Sequence, residues 1–208
     1  VYGWVPKASV VPDGPGSDGP GSDGPGSQGT GSQGTGSQGT VSLGELIHPR
    51  CEPELVFLLS DDLAGPGVTA GDVMDATRSI VGGIEIIDSR YEAFSFTLPD
   101  VIADNTSAAR VLIGSDGVAP GEADLSTLGC LFEVNGEVTG TATGAALLGD
   151  PAGCVAMLAN HLGKHGQKLE AGWLVMAGAP TDAQPLAVGT TATARYSHLG
   201  SVTVIGED

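Results

Sequence analysis

The fold is decided by a stretch that reads CEPELVFLL from Cys51 to Leu59, an apolar run interrupted by two acids. Residues two apart in a β-strand point the same way, so Glu52 and Glu54 would share one face while Phe57 takes the other. The apolar neighbours indicate that this strand is buried. The stretch therefore predicts a strand that aims two carboxylates together.

A third acid, Glu85, lies in a second strand signal, IEIID at residues 84–88. Buried carboxylates without a cation would be expelled, protonated or strongly shifted in pKa, whereas a divalent cation makes the same cluster favourable. The three acids therefore predict a cation site. The alternative is an exposed edge pair at Glu52 and Glu54, with Pro53 marking the edge of the sheet.

Composition limits the partners of the chain. A formal net charge of −17, from 25 acidic and 8 basic residues, would repel phosphate backbones and anionic lipid surfaces. We therefore expect neither nucleic acid nor membrane partners, and an anionic substrate would need a local cation. The acidic excess could equally reflect a salt-rich habitat or solubility.

The cysteines and the hydropathy indicate a compartment. Cys51, Cys130 and Cys154 are odd in number and widely spaced, which argues against a disulfide framework and a zinc cluster. No stretch approaches the roughly 20 apolar residues of a membrane span, and no leader is evident, so we expect a cytoplasmic protein. Cys51 could be a nucleophile, but strand alternation turns it away from Glu52 and favours a structural role.

A repeat with a period of five occupies residues 14–40, reading GPGSD twice, GPGSQ once and GTGSQ twice before a final GT. Glycine and serine offer almost no apolar area to offset the entropy of ordering, so this insert is predicted to be disordered. We expect a short ordered remnant at residues 1–13 before it and an ordered domain at residues 41–208 after it.

Local signals predict two clear helices in that domain. A capping box at Thr69 opens a helix that is predicted to run through Ile80. Asp150 before Pro151 opens a second helix, with apolar spacing that continues to a stop near Gly166. The predicted strands are residues 55–59, 84–88, 131–134 and 137–140 around an Asn135-Gly136 hairpin turn, 174–177, 190–196 and 201–205.

Five segments together carry a family resemblance. They are HPRCEPE at residues 48–54, IEIIDSR at 84–90, VIADN at 101–105, GAALLG at 144–149 and LGSV at 199–202. In order and spacing they resemble the fumarylacetoacetate hydrolase superfamily, in its branch of hydratases and decarboxylases that act on 2-oxo acids from catechol meta-cleavage. The resemblance implies an α+β, mainly β, mixed β-roll or sandwich with two or three helices, whose catalytic domain is residues 41–208.

The resemblance also implies a metal and a chemistry. It makes Glu52, Glu54 and Glu85 the ligands of one Mg²⁺ or Mn²⁺ ion, and all-oxygen ligation suits such a hard cation. In this family the ion polarises the 2-oxo group of a small 2-oxo mono- or dicarboxylic acid. An R-Y-E-x-F stretch at residues 90–94 looks like the decarboxylases, so the implied reaction is decarboxylation of 2-oxo-3-hexenedioate to 2-hydroxypenta-2,4-dienoate.

Two alternatives to that reaction stay open. One is a hydratase that adds water to 2-hydroxypentadienoate with the same metal. The other is an inactive subunit that associates with an intact partner, because decarboxylases of this branch pair with the homologous hydratase. A homo-oligomer is a further possibility that the resemblance leaves open.

Weaker candidates surround the metal ligands. The resemblance implies catalytic roles for Arg90, Asp104 and Asn105 and substrate binding at Gly178 and Ala179. Arg90 could neutralise a distal substrate carboxylate or simply pair with a neighbouring acid. An Asp-Asn pair is also ordinary turn chemistry.

One family segment has no counterpart in the sequence. Relatives carry a G-x-K-[IV]-G-[LF]-[ST] motif whose lysine belongs to the active site, and Lys7, Lys164 and Lys168 stand in other contexts. The resemblance therefore implies magnesium binding by this chain, with weak or absent turnover because proton transfer would be impaired.

Overall fold

Two β-sheets form most of the fold, and a computed structural model describes residues 10–11 and 36–208. The strands are β1 (Val10–Val11), β2 (Ser37–Ser42), β3 (Arg50–Leu59), β4 (Thr77–Ile87), β5 (Ala108–Val118), β6 (Gly129–Val134), β7 (Glu137–Thr143), β8 (Leu174–Met176), β9 (Gln184–Pro185), β10 (Thr191–Tyr196) and β11 (Gly200–Glu207). The α-helices are α1 (Ala70–Asp75), α2 (Leu98–Ala103) and α3 (Pro151–Gly163). The predicted α+β, mainly β class is confirmed.

β3 lies inside the first sheet, whose order is β1-β5-β4-β3-β8, with β9 also paired to β3. One edge of β3 pairs with β4 throughout, while the other pairs with β9 at its first two residues and with β8 at Val56–Leu58. Among the described strands, none pairs with residues 52–55 on that second edge, and Pro53 lies in this gap as strand prolines usually do. The exposed-edge alternative for Glu52 and Glu54 does not hold, because β3 is an interior strand with a local opening.

The second sheet has the order β2-β11-β10-β6-β7. Its predicted hairpin is confirmed, since β6 and β7 are joined by Asn135 and Gly136 with φ of 52° and 82°. Positive φ at both central residues is the condition that a type I′ turn imposes and that Asn-Gly meets at low cost. The late strands predicted near residues 174–177, 190–196 and 201–205 correspond to β8, β10 and β11.

The two sheets pack face to face, with β10 and β11 lying against β4 and β5. Tyr196 at the end of β10 crosses this interface. Its hydroxyl accepts the Glu54 N–H at 2.9 Å and lies 3.0 and 2.8 Å from the carbonyl oxygens of Glu54 and Gly83. A Cβ at Gly82 would stand 2.5 Å from the tyrosine ring, so glycine there lets the ring approach the strand. The ring and hydroxyl thus hold β3 and β4 in register beside the acids.

The first predicted helix is shorter than expected. The capping box at Thr69 and Asp72 is present, but α1 ends at Asp75. Ile80, which the helical pattern included, is instead a fully buried residue of β4 paired with Phe57. Burial between two neighbouring strands overrides a local helical pattern when the residue is β-branched and suits a strand.

The second predicted helix, α3, begins as expected, with the Asp150 side chain accepting the Ala152 N–H at 3.0 Å. Its inward face is small and aliphatic, and the helix packs against α1. The buried residues of α3 are Pro151, Ala152, Val155, Ala156, Ala159 and Leu162. Within the described residues, no helix is both long and apolar enough to span a membrane.

The boundary of the predicted insert needs a correction. The insert was expected to extend to Thr40, but β2 begins at Ser37 and pairs in parallel with β11. Backbone hydrogen bonds to a neighbouring strand need no apolar side chain, so a polar repeat can still supply an edge strand. Of the predicted remnant, Val10–Val11 forms β1 beside β5, and the remaining residues up to 35 lie outside the described part.

The hydroxyl of Tyr196 can be tested for its part in stability. Tyr196→Phe should lower the free energy of unfolding by about 1–3 kcal/mol, because it removes the hydrogen bonds of the hydroxyl to buried backbone groups of Glu54 and Gly83. Urea denaturation followed by circular dichroism measures this difference. Tyr91→Phe is the control and should change stability by less than about 0.5 kcal/mol, so an equal loss in both variants would contradict the role.

Candidate metal centre

The pairing of β3 with β4 brings the three predicted acids together. Glu52 lies directly opposite Glu85, and Glu54 follows two residues later on the same face of β3. Directly opposed side chains on neighbouring antiparallel strands are in contact range, and like charges there repel. The register therefore creates the cluster that the sequence predicted.

One carboxylate oxygen from each of Glu52, Glu54 and Glu85 lies within 4.8 Å of the other two. Glu54 is 3% exposed and Glu85 is 8% exposed, while Glu52 is half-buried. In the part of the chain that the structure describes, none of the three forms an ion pair with a lysine or arginine. The cluster thus has no ion-pair partner among these residues to compensate its charge.

The pKa values of the cluster reflect this lack of compensation. Burial raises the pKa of Glu52 to about 7. Burial and then the charge of Glu52 raise the pKa of Glu85 to about 8. Burial, followed by the charges of Glu85 and Glu52, raises the pKa of Glu54 well above its ordinary value. A hard divalent cation fits this donor set, because it prefers carboxylate oxygens and would offset the repulsion.

Glu54 is oriented by the segment between β8 and β9. The N–H of Gly178 donates to its carboxylate at 2.9 Å. Gly178 has a φ of 126°, a conformation that favours glycine, and a Cβ there would lie 3.2 Å from a Leu147 methyl group. The structure thus places Gly178 at the site, next to half-buried Ala179, with its amide directed at a carboxylate. The substrate contacts expected of these two residues stay a prediction.

Arg90 and Asp104 form an ion pair with each other. Arg90 also donates to the carbonyl oxygens of Asp88 and Asp104. Burial disfavours ionisation of Asp104, but hydrogen bonds from Ser107 and Arg90 outweigh it, so the pKa of Asp104 is lowered. The pair ties together the two ends of the segment between β4 and β5, and a catalytic role for either residue stays a prediction.

Asn105 begins a strained turn. Asn105, Thr106 and Ser107 have φ of 53°, 58° and 60°, values that non-glycine residues rarely adopt. The Ser107 hydroxyl donates to the Asp104 carboxylate at 2.9 Å, which helps to hold the turn. The structure places Asn105 in this turn, beside Asp104. Its catalytic role stays a prediction.

Cys51 is fully buried on the face of β3 opposite the acids. Burial and the charge of Glu52 raise the pKa of the Cys51 thiol to about 12, and its sulfur lies 3.5 Å from the Gln184 carbonyl oxygen. A thiol with so high a pKa is a poor nucleophile. The structural role that strand alternation favoured for Cys51 is consistent with this environment.

Two neighbours of the site were missed by sequence reasoning. Tyr196 contacts Glu54 across 142 residues of chain, and no local pattern indicates such a contact. Arg50 packs its guanidinium over the ring of Phe94 at 4.1 Å. A signal for Arg50 was present, because it shares the strand parity of Glu52 and Glu54.

The chain is similar in sequence to bacterial decarboxylases and hydratases. No family model matches the chain. The chain is 46% identical over 158 residues to the 4-oxalocrotonate decarboxylase of Pseudomonas sp. (strain CF600), covering 76% of this chain and 60% of that protein. It is 45% identical over 122 residues to the 2-hydroxypent-2,4-dienoate hydratase of Pseudomonas putida, covering 59% of this chain and 55% of that protein.

A solved structure is similar over nearly the whole chain. The 4-oxalocrotonate decarboxylase from Pseudomonas putida G7, complexed with magnesium and adipate, superposes with a TM-score of 0.83 at 38% identity, covering 98% of this chain and 68% of that one. The chain spans about 60% of the length of the curated decarboxylase that it matches. By sequence and by fold, the chain belongs to the hydratase and decarboxylase branch of the fumarylacetoacetate hydrolase superfamily.

Proposed function

We propose that this chain carries the metal-binding site of a magnesium-dependent decarboxylase that converts 2-oxo-3-hexenedioate to 2-hydroxypenta-2,4-dienoate in aromatic meta-cleavage degradation. The observation that carries the proposal is the trio of Glu52, Glu54 and Glu85, two buried and one half-buried, which has no ion-pair partner among the described residues. The similarity to 4-oxalocrotonate decarboxylases supports the reaction and the oxo-acid substrate.

The residues of this chain have definite roles at the proposed metal site. Glu52, Glu54 and Glu85 concentrate negative charge in a poorly solvated site, where electrostatic attraction to a cation is stronger than in water. Gly178 fixes the orientation of Glu54 through its N–H. When bound, a divalent cation supplies Lewis-acid polarisation of the 2-oxo group, which favours loss of carbon dioxide. We propose Mg²⁺ as the bound ion, and not Mn²⁺, because a similar structure contains magnesium.

A hydratase acting on 2-hydroxypentadienoate is the second candidate, supported by 45% identity to such an enzyme over 122 residues. A chain that acts only within a complex with an intact hydratase, or as a homo-oligomer, is compatible with the same site.

The cellular location that we propose is the cytoplasm. The three cysteines are free thiols in the structure, which supports this location.

Magnesium affinity tests the trio directly. The chain should bind Mg²⁺ in isothermal titration calorimetry, and Glu85→Gln should weaken binding by at least about tenfold, since even groups that only orient a metal ligand cost that much when lost. Glu137→Gln, an exposed change on β7, is the control and should leave affinity unchanged. Absence of magnesium binding, or equal binding by Glu85→Gln, would rule out the site.

The raised pKa values also predict how pH affects stability. The folded-state pKa values of Glu52 and Glu85 are about 7 and about 8, above the ordinary 4.5, so the metal-free folded chain binds more protons than the unfolded chain between these limits. The stabilisation is therefore complete below about pH 4.5 and is lost as pH rises towards 8.

Thermal melts in EDTA should accordingly show a midpoint that falls between pH 5 and pH 8, and saturating magnesium should reverse the fall. Glu85→Gln should be more stable than the natural chain at pH 8 without metal, because it removes repulsion from the cluster. A midpoint that rises with pH in EDTA would contradict the pKa assignment.

Substrate assays separate the two reactions. With magnesium, the chain should consume 2-oxo-3-hexenedioate faster than 2-hydroxypentadienoate, as followed by ultraviolet absorbance, but turnover should be weak because the sequence has no counterpart of the lysine motif that relatives use in proton transfer. The Glu85→Gln variant is the matched control and should consume neither. Consumption of 2-hydroxypentadienoate alone would favour the hydratase.

A further inference from the structure

A positively charged side chain lies on the same face of β3 as the acids. Arg50 precedes Glu52 by two residues, so the two side chains point the same way about 7 Å apart along the strand. In residues 36–208, four basic side chains form ion pairs, namely Arg90, Arg110, Lys168 and Arg195, and Arg50 is not among them. Arg50 therefore carries a charge on this face of β3 that the described acids do not neutralise.

The guanidinium of Arg50 is held by an aromatic ring. Its central carbon lies 4.1 Å from the centroid of the Phe94 ring, a cation–π contact. Such a contact uses the flat face of a guanidinium, and its N–H donors, which lie in the plane, stay available for a planar acceptor such as a carboxylate. The contact with Phe94 thus orients Arg50 without consuming its hydrogen-bonding capacity.

The backbone at Phe94 is strained. Phe94 has a φ of 55°, an uncommon conformation for a bulky residue. His48 packs on the same ring, with ring centroids 4.9 Å apart. The buried carboxylate of Asp88 accepts the N–H groups of Ile47 and His48 at 2.9 and 2.8 Å, which fixes the chain as it enters β3. His48 therefore supports the Phe94 ring, and Asp88 holds the segment that leads to Arg50.

Arg90 was the sequence-based candidate for a distal substrate carboxylate, but its donors are directed to Asp104 and to the Asp88 carbonyl oxygen. Arg50 has its donors available and lies in line with Glu52 and Glu54.

We propose that Arg50, backed by Phe94, binds the distal carboxylate of a dicarboxylic 2-oxo acid whose oxo end lies at the carboxylate trio. Arg50 is thereby the residue that selects dicarboxylic over monocarboxylic substrates. This inference rests on the proposed function, because it takes the trio as the place where the oxo end binds.

Binding of two matched acids to the magnesium-loaded chain tests the proposal. 2-Oxoadipate and 2-oxohexanoate share the oxo-acid end and the chain length and differ only in the distal carboxylate. Isothermal titration calorimetry should show tighter binding of 2-oxoadipate to the natural chain. Arg50→Met should weaken 2-oxoadipate by about 10- to 100-fold, the range for loss of a charge-assisted hydrogen bond, and leave 2-oxohexanoate and magnesium affinity unchanged.

Two further variants and a control sharpen the result. Arg50→Lys keeps the charge but not the planar fork and should fall between the natural chain and Arg50→Met. Phe94→Leu should weaken 2-oxoadipate by about two- to fivefold through loss of the cation–π contact. Arg78→Met makes the same charge change at an exposed site on β4, seven residues and roughly 23 Å from Glu85, and should alter neither affinity.

The remaining outcomes overturn the proposal in distinguishable ways. Equal weakening of both acids by Arg50→Met would assign Arg50 a structural role, and no weakening of either would remove it from the site. Both results leave the proposed function standing. If magnesium binds but neither acid binds the natural chain, the proposed function fails and the role of Arg50 fails with it.

Discussion

Repulsion among three clustered carboxylates, two buried and one half-buried, is the constraint on which the rest of this structure depends. Glu52 and Glu85 face each other across two interior strands, with Glu54 beside them, and no described cation compensates them. Such an arrangement survives only if surrounding contacts hold the strands in register. Tyr196 does so from the opposite sheet by bonding to the backbone of Glu54 and Gly83. The clustered negative charge thus lowers the stability of the metal-free protein, and the same charge would attract a cation.

Five acids of this region, four of them buried and Glu52 half-buried, differ in how their charge is satisfied. Asp88 accepts two backbone N–H groups, and Asp104 accepts bonds from Ser89, Arg90 and Ser107. These two acids fix the loops on either side of β3 and β4. The acids of the trio, described above, share one backbone N–H between them, at Glu54. Acids with complete hydrogen bonding anchor the chain, whereas acids without it are left to bind something else.

Sequence reasoning succeeded where the deciding interaction is local and failed where it is distant. The parity of Glu52 and Glu54, the Asn135-Gly136 turn and the cap at Asp150 each depend on neighbouring residues and appear as predicted. Ile80 was assigned to a helix because its own segment has a helical spacing of apolar residues. The stabilisation that Ile80 gains in a strand comes from neighbouring strands, which that segment does not show. For Arg90 the sequence left open a substrate carboxylate or a neighbouring acid as partner, and the ion pair with Asp104 appears only in the folded chain.

The sequence by itself determined that acids would share one face of an apolar strand, because side-chain alternation is a property of the extended backbone. It also determined the mainly β class, through short apolar runs and turn residues. Only the tertiary structure decided that Glu85 stands opposite Glu52, that β3 is interior with a gap in its pairing beside Pro53, and that Arg50 lies over Phe94 with no ion pair to a described acid. Register between strands and competition for partners depend on residues far apart in the chain, and only folding brings those residues together.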